Sequence, residues 1–421
     1  MAIARSFAAT GVACMALLAG ACTGADDGAE PVAISSCGEL VYDGDGEPEV
    51  IVVSENPRRG RHAGPTQEIV DAIEFVLHER DYRAGEFRVG FQSCDYTVGG
   101  ELDAGQCSRN ARAHVEAKDV VGVIGPFNSG CAELQIPIVS RTAAGPLAMI
   151  SPSNTDDGLT RGPDARRLYP DGVRSYARVL THDLAQGAAA AHIARRLGAR
   201  RVAVVAQRGL DDPYVAGLTR GFRSIARPLG IRQRTFDWHF RTTYDALAAS
   251  VAAARPDAVY LVGLPEWNAD TLITNLRAEL ADVPILTPDS FAAEELAREL
   301  GPIGNGLITT VPGVPPTELP LAGRRFLREF GSDPILSRPP GSPEAAQAAE
   351  VLLDAIARSD GTRASVVEEL FATKVEHGIL GSFVLDEFGD IDPAPVGVYR
   401  YEAGGIVVDG VVRAALDASG G

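Results

Sequence analysis

Short apolar runs alternate with segments of helical spacing along most of the chain. Glu49–Ser54 (EVIVVS) has the pattern of a buried strand, and Pro65–Glu79 then places Ile69, Ala72, Ile73, Val76 and Leu77 on one helical face. A strand at 87–91, a helix at 107–118, a strand at 120–124, a helix at 131–142 and a strand at 147–150 complete a first set. A Gly-, Pro- and Asp-rich passage, 156–172, interrupts the rhythm. It restarts with helices at 182–197, 212–226, 244–254 and 268–280, interleaved with strands at 201–205, 231–237, 258–262 and 284–287. Parallel strands need crossovers, so this alternation predicts an α/β fold with two doubly wound parallel sheets, one per lobe.

The last quarter departs from that rhythm. A strand at 307–311 leads into Pro312, Pro315 and Pro316, helices follow at 319–330 and 343–358, and 382–385, 396–401 and 405–408 have the look of antiparallel hairpin strands. These elements are too few for a third domain. They are expected to complete the two lobes, which makes the chain cross between lobes several times and defines a hinged pair with a cleft. The expected division is 47–178 with 313–395 for the first lobe, and 179–312 with 396–414 for the second.

The N-terminus points to export. Arg5 precedes an apolar run, Ser6–Leu18, of signal-peptide length and too short to span a bilayer. The run ends in Leu18-Ala19-Gly20-Ala21-Cys22 and a polar stretch follows. Small residues before a cysteine resemble the lipobox of bacterial lipoproteins, although Leu18 stands one step further from Cys22 than that pattern has it. The resemblance implies acylation of Cys22 after loss of residues 1–22, with 23–46 as a linker and N-terminal extension; ordinary cleavage and free secretion is the alternative. Cys37, Cys94, Cys107 and Cys131 remain, an even number that reads as two disulfides in an oxidising compartment. Three connectivities are possible. The local pair Cys94–Cys107 is expected, which leaves Cys37 with Cys131; zinc is the alternative, and it lacks any CxxC or HxxxH spacing.

Composition then narrows the chemistry. A formal net charge of −17 argues against a nucleic-acid partner. Lys118 and Lys374 are the only lysines, so Schiff-base and P-loop chemistry have almost no place to sit. No GxSxG, HExxH or CxxC occurs, and the seven histidines are scattered; His78, His114 and His192 read as ordinary surface or core residues. The acidic groups 43–47 and 386–392 do not fit a calcium loop and read as turns. Neither a cofactor, a metal nor an enzymatic activity is expected.

Two loops stand out. Gly125-Pro126-Phe127-Asn128-Ser129-Gly130-Cys131 follows one strand and enters a helix, and Ser151-Pro152-Ser153-Asn154-Thr155 follows the next. In open parallel sheets ligands bind beyond the carboxyl ends of strands, and such loops offer hydroxyls, amides and free N–H donors to a carboxylate.

Residues 121–160, VGVIGPFNSGCAELQIPIVSRTAAGPLAMISPSNTDDGLT, resemble the matching region of type I periplasmic substrate-binding proteins, the Leu/Ile/Val-binding family of branched-chain amino acid ABC transporters. The likeness extends more loosely over 49–408, through Asp212-Pro213-Tyr214-Val215-Ala216-Gly217, Val259-Tyr260-Leu261-Val262-Gly263 and Gly381-Ser382-Phe383 with Asp386 and Gly389-Asp390. It implies two α/β lobes joined by a three-stranded hinge, and a monomer that binds a small solute and delivers it to a membrane permease. It places carboxylate and ammonium contacts on Ser129, Ser153 and Thr155, with Asn128, Ser151 and Asn154 in the same loops. It places an aromatic contact on Tyr214 and the acid facing the ligand ammonium on Asp289. Capping or turn duties are the plain alternative for each.

Two departures bear on the ligand. The first loop carries Arg58-Arg59-Gly60-Arg61-His62 where an aromatic residue is usual, with Arg61 nearest in register, and the second lobe carries Leu264-Pro265-Glu266-Trp267, so Arg61 and Glu266 join the candidate site. The reading is a lipid-anchored extracytoplasmic binder of an amino acid or similar small carboxylate. A sensor passing its closed state to a membrane signalling partner is the alternative.

Overall fold

The computed structural model describes residues 28–208, 213–241, 243–332 and 340–413. The leader, Cys22 and Asp212 lie outside the described residues.

Two sheets organise the chain. The first is built from β1 (Val50–Asn56), β2 (Arg83–Ala84) and β3 (Phe87–Asp95), then, past a small hairpin of β4 (Thr97–Val98) and β5 (Glu101–Leu102), from β6 (Val120–Ile124), β7 (Ala148–Ser151) and β8 (Tyr176–Arg178). Its order is β2-β3-β1-β6-β7-β8, parallel except at β2–β3. The second contains β9 (Arg201–Gln207), β10 (Arg232–Trp238), β11 (Ala258–Val262), β12 (Ile285–Thr287) and β13 (Ile308–Pro312). The chain then forms a three-stranded sheet, β14 (Lys374–Gly378), β15 (Gly381–Leu385) and β16 (Ile391–Asp392), before β17 (Pro395–Glu402) and β18 (Gly405–Arg413) return to the second sheet. That sheet runs β10-β9-β11-β12-β13-β17-β18, with its last two pairings antiparallel. The hairpin expected from the sequence thus widens the second lobe, which is mixed rather than wholly parallel.

Helices cover both faces. The first lobe has α1 (Ala63–Glu79), α2 (Ala104–Glu116), α3 (Ser129–Val139) and α4 (Gly162–Leu168). The second has α5 (Asp183–Arg196), α6 (Pro213–Ala226), α7 (Asp245–Ala253), α8 (Ala269–Glu279) and α9 (Glu294–Leu300). The returning chain adds α10 (Leu321–Phe330), α11 (Ser342–Arg358) and α12 (Arg363–Phe371). Ala345–Ile356 of α11 join the core that β1, β3 and α1 form, so this late helix belongs physically to the first lobe. Burying side chains such as Leu352 and Ile73 there is worth about 1.5–3 kcal/mol each. α4, α9 and α12 are short, and the sequence pattern does not disclose them.

α5 and α6 set the geometry of the second lobe's rim. The run Gly187–Ala191 lets the helices approach so closely that a Cβ on Gly187 would sit 2.1 Å from the Leu218 carbonyl oxygen, and one on Gly221 2.0 Å from that of Leu184. The first turn of each helix is thereby fixed at the boundary between lobes.

The disulfides are Cys37–Cys94 and Cys107–Cys131, which overturns the expected pairing of Cys94 with Cys107. Register and helix packing decide this. Residues 36–41 lie against the edge of β3, with Val41 and Phe91 exchanging two backbone hydrogen bonds (2.7 and 2.9 Å) and Cys37 opposite Cys94. Cys107 and Cys131 sit in the first turns of the adjacent helices α2 and α3. The extension from residue 28 is therefore fastened along β3 rather than running away from it; Val32 donates its N–H to the Gln92 Oε1 at 2.8 Å. Among the described residues no helix is long and apolar enough to cross a membrane.

Candidate functional site

Three crossings join the lobes, and a buried ion cluster lies beside the first. The first follows β8, whose Arg178 is wholly buried. Its Nε donates to Asp390 Oδ1 at 2.7 Å, and its Nη1 and Nη2 donate to the Asp156 carbonyl (2.8 Å) and the Thr160 hydroxyl (2.6 Å). Arg161 Nε donates to the other Asp390 oxygen at 2.6 Å, and Thr160 donates to the same carboxylate. Burial alone would raise the Asp390 carboxyl, but Arg178, His182 and Arg161 hold it well below the usual carboxylate range. Burial pushes the neighbouring His182 imidazole down to about 4, so it is neutral at pH 7. At the other two crossings Gly313 donates its N–H to the Pro395 carbonyl at 2.9 Å, and the Thr181 hydroxyl donates to that carbonyl as well.

The two loops singled out by sequence are tied to one another. Gly125 ends β6 at φ +127°, where a Cβ would come within 2.8 Å of the Glu55 carbonyl oxygen; only glycine turns the chain there. The Ser151 hydroxyl donates to the Pro126 carbonyl (3.1 Å) and accepts the N–H groups of Ser153 and Asn154. Asn154 Nδ2 donates to the Pro126 and Phe127 carbonyls, and its Oδ1 accepts from Tyr176 at 2.9 Å. The Ser153 hydroxyl donates to the Phe127 carbonyl at 2.9 Å. Asn128 accepts from the Tyr96 hydroxyl at 2.7 Å. Ser151 and Asn154, both wholly buried, hold the loops in register. Ser129, in the first turn of α3, is half-buried and faces the Asp156 N–H at 3.5 Å.

Across the boundary, Thr155 accepts the Asp183 N–H through its carbonyl at 2.8 Å, where α5 begins. Tyr214, in the first turn of α6, donates its hydroxyl to Asp289 Oδ1 at 2.8 Å and accepts the Ser290 N–H at 3.2 Å. Gln186 Nε2 donates to the same Asp289 oxygen at 2.9 Å. Burial raises the Asp289 carboxyl, against the pull of those hydrogen bonds from Gln186 and Tyr214. Asp183 is only 1% exposed, and its carboxyl lies well above the usual range because of burial and the nearby Asp289 charge. Asp183 Oδ1, Gln186 Oε1 and the Tyr260 hydroxyl are buried without a hydrogen-bond partner. A buried polar atom left unpaired costs about 1–3 kcal/mol, and three of them lie around one carboxylate pair.

The structure thus brings Ser129, Thr155, Tyr214 and Asp289 to the lobe boundary and sets Asn128, Ser151, Ser153 and Asn154 behind them. It does not bring Arg61 and Glu266 into contact with that group. Arg61 is exposed and donates to His62 Nε2 at 3.1 Å, while Arg58 and Arg59 engage Asp95 (3.0 Å from the Arg58 N–H, 3.6 Å from the Arg59 guanidinium). Glu266 is exposed on the loop after β11. Sequence reasoning missed Asp183, Gln186 and Tyr260. Asp183 and Gln186 fall in the first turn of a helix just after an interlobe crossing, and that position was the available signal.

A polar cleft of about 510 Å³ opens at the lobe boundary, lined by Glu133, Asp156 and Arg167 of the first lobe and Gln207, Arg220 and Arg223 of the second; Asp183 and Asp289 do not line it, and Pro213 and Val215 of its wall flank Tyr214. One ion pair spans it, Arg220 to Asp157 at 2.6 Å.

Two α/β lobes, three crossings and strand-end loops that face each other define the type I periplasmic binding-protein fold. Solved structures that share it include the leucine-binding protein LivK of Thermotoga maritima (24% identity, 86% of this chain and 99% of that one, TM-score 0.66). LivJ of Streptococcus pneumoniae in complex with isoleucine shares it at 17% identity, over 86% and 98% of the two chains (TM-score 0.63). A solute-binding protein of an ABC transporter from R. palustris, in complex with benzoate, shares it at 17% identity over 87% and 98% of the two chains (TM-score 0.63). No protein-family model and no curated protein matches the sequence.

Proposed function

We propose that this chain is an extracytoplasmic solute-binding protein of an ABC-type importer, which closes on an amino acid or related small carboxylate and presents it to a membrane permease. The observation that carries the reading is the floor at the lobe boundary: the buried Asp183 and the half-buried Asp289, with no arginine, lysine or protonated histidine hydrogen-bonded to either carboxylate among the described residues. An ammonium group would supply the missing charge and satisfy Asp183 Oδ1. Ser129, Ser153 and Thr155 lie at the strand and helix ends opposite, where the ligand carboxylate would meet hydroxyls and free N–H donors. Arg61 and Glu266, both exposed and away from this group, would meet only the far end of a longer guest.

In this reading residues 47–178 with 313–395 form one lobe and 179–312 with 396–414 the other. Cys22 carries the lipid anchor, and the protein acts as a monomer. Only the closed state joins both sets of contacts, so the ligand selects closure by its differential affinity.

Thermal stabilisation across a panel of amino acids and their deaminated analogues tests the proposal, since a ligand at a hundred times its Kd adds about 2.7 kcal/mol. Amino acids should shift the midpoint and the analogues should not. Asp289→Ala should weaken the amino acid by about a hundredfold, as expected for a lost charge-assisted pair. Equal binding of benzoate-like acids lacking an amine would remove the ammonium role of Asp183 and Asp289, and no shift across a panel that includes both kinds of acid would overturn the proposal.

A further inference from the structure

Glu55 and His114 are almost wholly buried in the first lobe, and the Glu55 Oε1 and both ring nitrogens of His114 have no hydrogen-bond partner. Glu55 Oε1 lies 3.2 Å from His114 Nε2. Sheet register explains why these groups meet. Glu55 on β1 is the cross-strand partner of Cys94 on β3, and Cys37 stands opposite Cys94 on the other side. Three neighbouring chains therefore carry Cys37, Cys94 and Glu55 on one rung, and α2 sets His114 beside them. A ring nitrogen of His114 and the sulfurs of Cys37 and Cys94 lie within 4.8 Å of one another.

Glu55 stands outside that trio, with its Oε1 beside the imidazole. Two thiolates and an imidazole are a donor set that Zn2+ takes, with bonds of about 2.3 Å to sulfur and about 2.0–2.1 Å to nitrogen. The sulfurs are joined as a disulfide here and must part before they can bind a metal. We propose that reduction of Cys37–Cys94 creates a site for a thiophilic divalent cation such as Zn2+, with Cys37, Cys94 and His114 as ligands, Glu55 beside the imidazole and a fourth, lighter ligand from water or the Glu55 carboxylate. A phosphine or dithiol supplies the two electrons: the sulfur–sulfur bond breaks, each sulfur takes one proton, and the reductant ends as a phosphine oxide, its oxygen drawn from water, or as a disulfide. Metal binding then releases both thiol protons. The cation replaces the disulfide as the clasp between the N-terminal segment and β3, so that segment stays fastened in either redox state. No ligand spacing in the sequence discloses this site, because strand register rather than a short motif assembles it.

The test is cobalt titration of the full chain after phosphine reduction under anaerobic conditions. One equivalent should bind, with a sulfur-to-cobalt charge-transfer band and the visible bands of a tetrahedral ion, and Zn2+ should displace it. The variant C14S/C22S/C107S/C131S should keep these bands, whereas H114A should weaken cobalt binding by about a hundredfold or more. Absence of the thiolate band, or its loss in the four-serine variant, would overturn the proposal. X-ray absorption of the zinc-loaded native chain needs no variant to fold: two sulfur and two lighter neighbours are expected, and four sulfurs or none would refute the assignment.

Discussion

Two clusters of buried charge lie next to each other along the chain, and they are built on opposite principles. Beside the first crossing, Asp390 is held by two arginines and a threonine hydroxyl, so its charge is matched several times over. Asp183, five residues after Arg178, is buried within reach of the Asp289 charge, and both carboxyls are raised. The first cluster is matched within the chain; the second is not. A buried charge matched within the chain belongs to architecture, and one left unmatched marks where an outside charge is to come.

The comparison is broken most forcefully at the hinge. Arg178→Met leaves the buried Asp390 with only Arg161 and the Thr160 hydroxyl and removes the donor to the Asp156 carbonyl, and should lower stability by about 3–5 kcal/mol in denaturant titration. A loss under 1 kcal/mol would mean that the cluster is not needed to hold the crossings. The acid limb has a definite sign. The Asp390 carboxyl is depressed on folding, so its contribution is present above its unfolded value of about 3.8 and is lost as pH falls below that. Asp390→Asn should flatten that limb.

The floor at the lobe boundary should behave in the reverse way. Asp183 has a raised folded pKa, so the native chain holds a proton that the unfolded chain has released once pH exceeds about 3.8. Ligand-free stability should therefore decline as pH climbs from that value toward the folded one. Asp183→Asn should remove the decline, raising ligand-free stability at pH 7 by about 1 kcal/mol while weakening binding of amines. A variant less stable than the parent at pH 7 would show that Asp183 is a structural acid like Asp390.

How much of this was legible beforehand follows the same division. The alternating sheets were readable because each long strand, such as 120–124 or 258–262, is an uninterrupted apolar run. The loops carrying Ser129 and Thr155 were readable because they end those runs. Asp183 was not, since one acid at a helix start looks like any N-terminal cap until folding shows that it faces Asp289 rather than water. The disulfide partners were missed because proximity along the chain was weighed where strand register and helix packing decide. Glu55, an acid at the end of an apolar strand, gave no hint of His114, fifty-nine residues on.

The smallest expected effect lies between the two clusters. Arg220 reaches across the cleft to Asp157 at 2.6 Å, yet its side chain is 54% exposed, so solvent screening leaves the pair worth only about 0.2–1 kcal/mol. A contact of that size cannot hold the lobes shut, but it is made across the boundary that closure brings together. Arg220→Ala should therefore leave the unfolding midpoint nearly unchanged and release bound solute about two- to fivefold faster, with the difference fading as salt is raised. Stopped-flow release at low and high ionic strength separates the outcomes. A change in release that ignores salt would assign Arg220 to packing, and a change in stability without one in release would place the pair among the hinge charges rather than at the closing edge of the cleft.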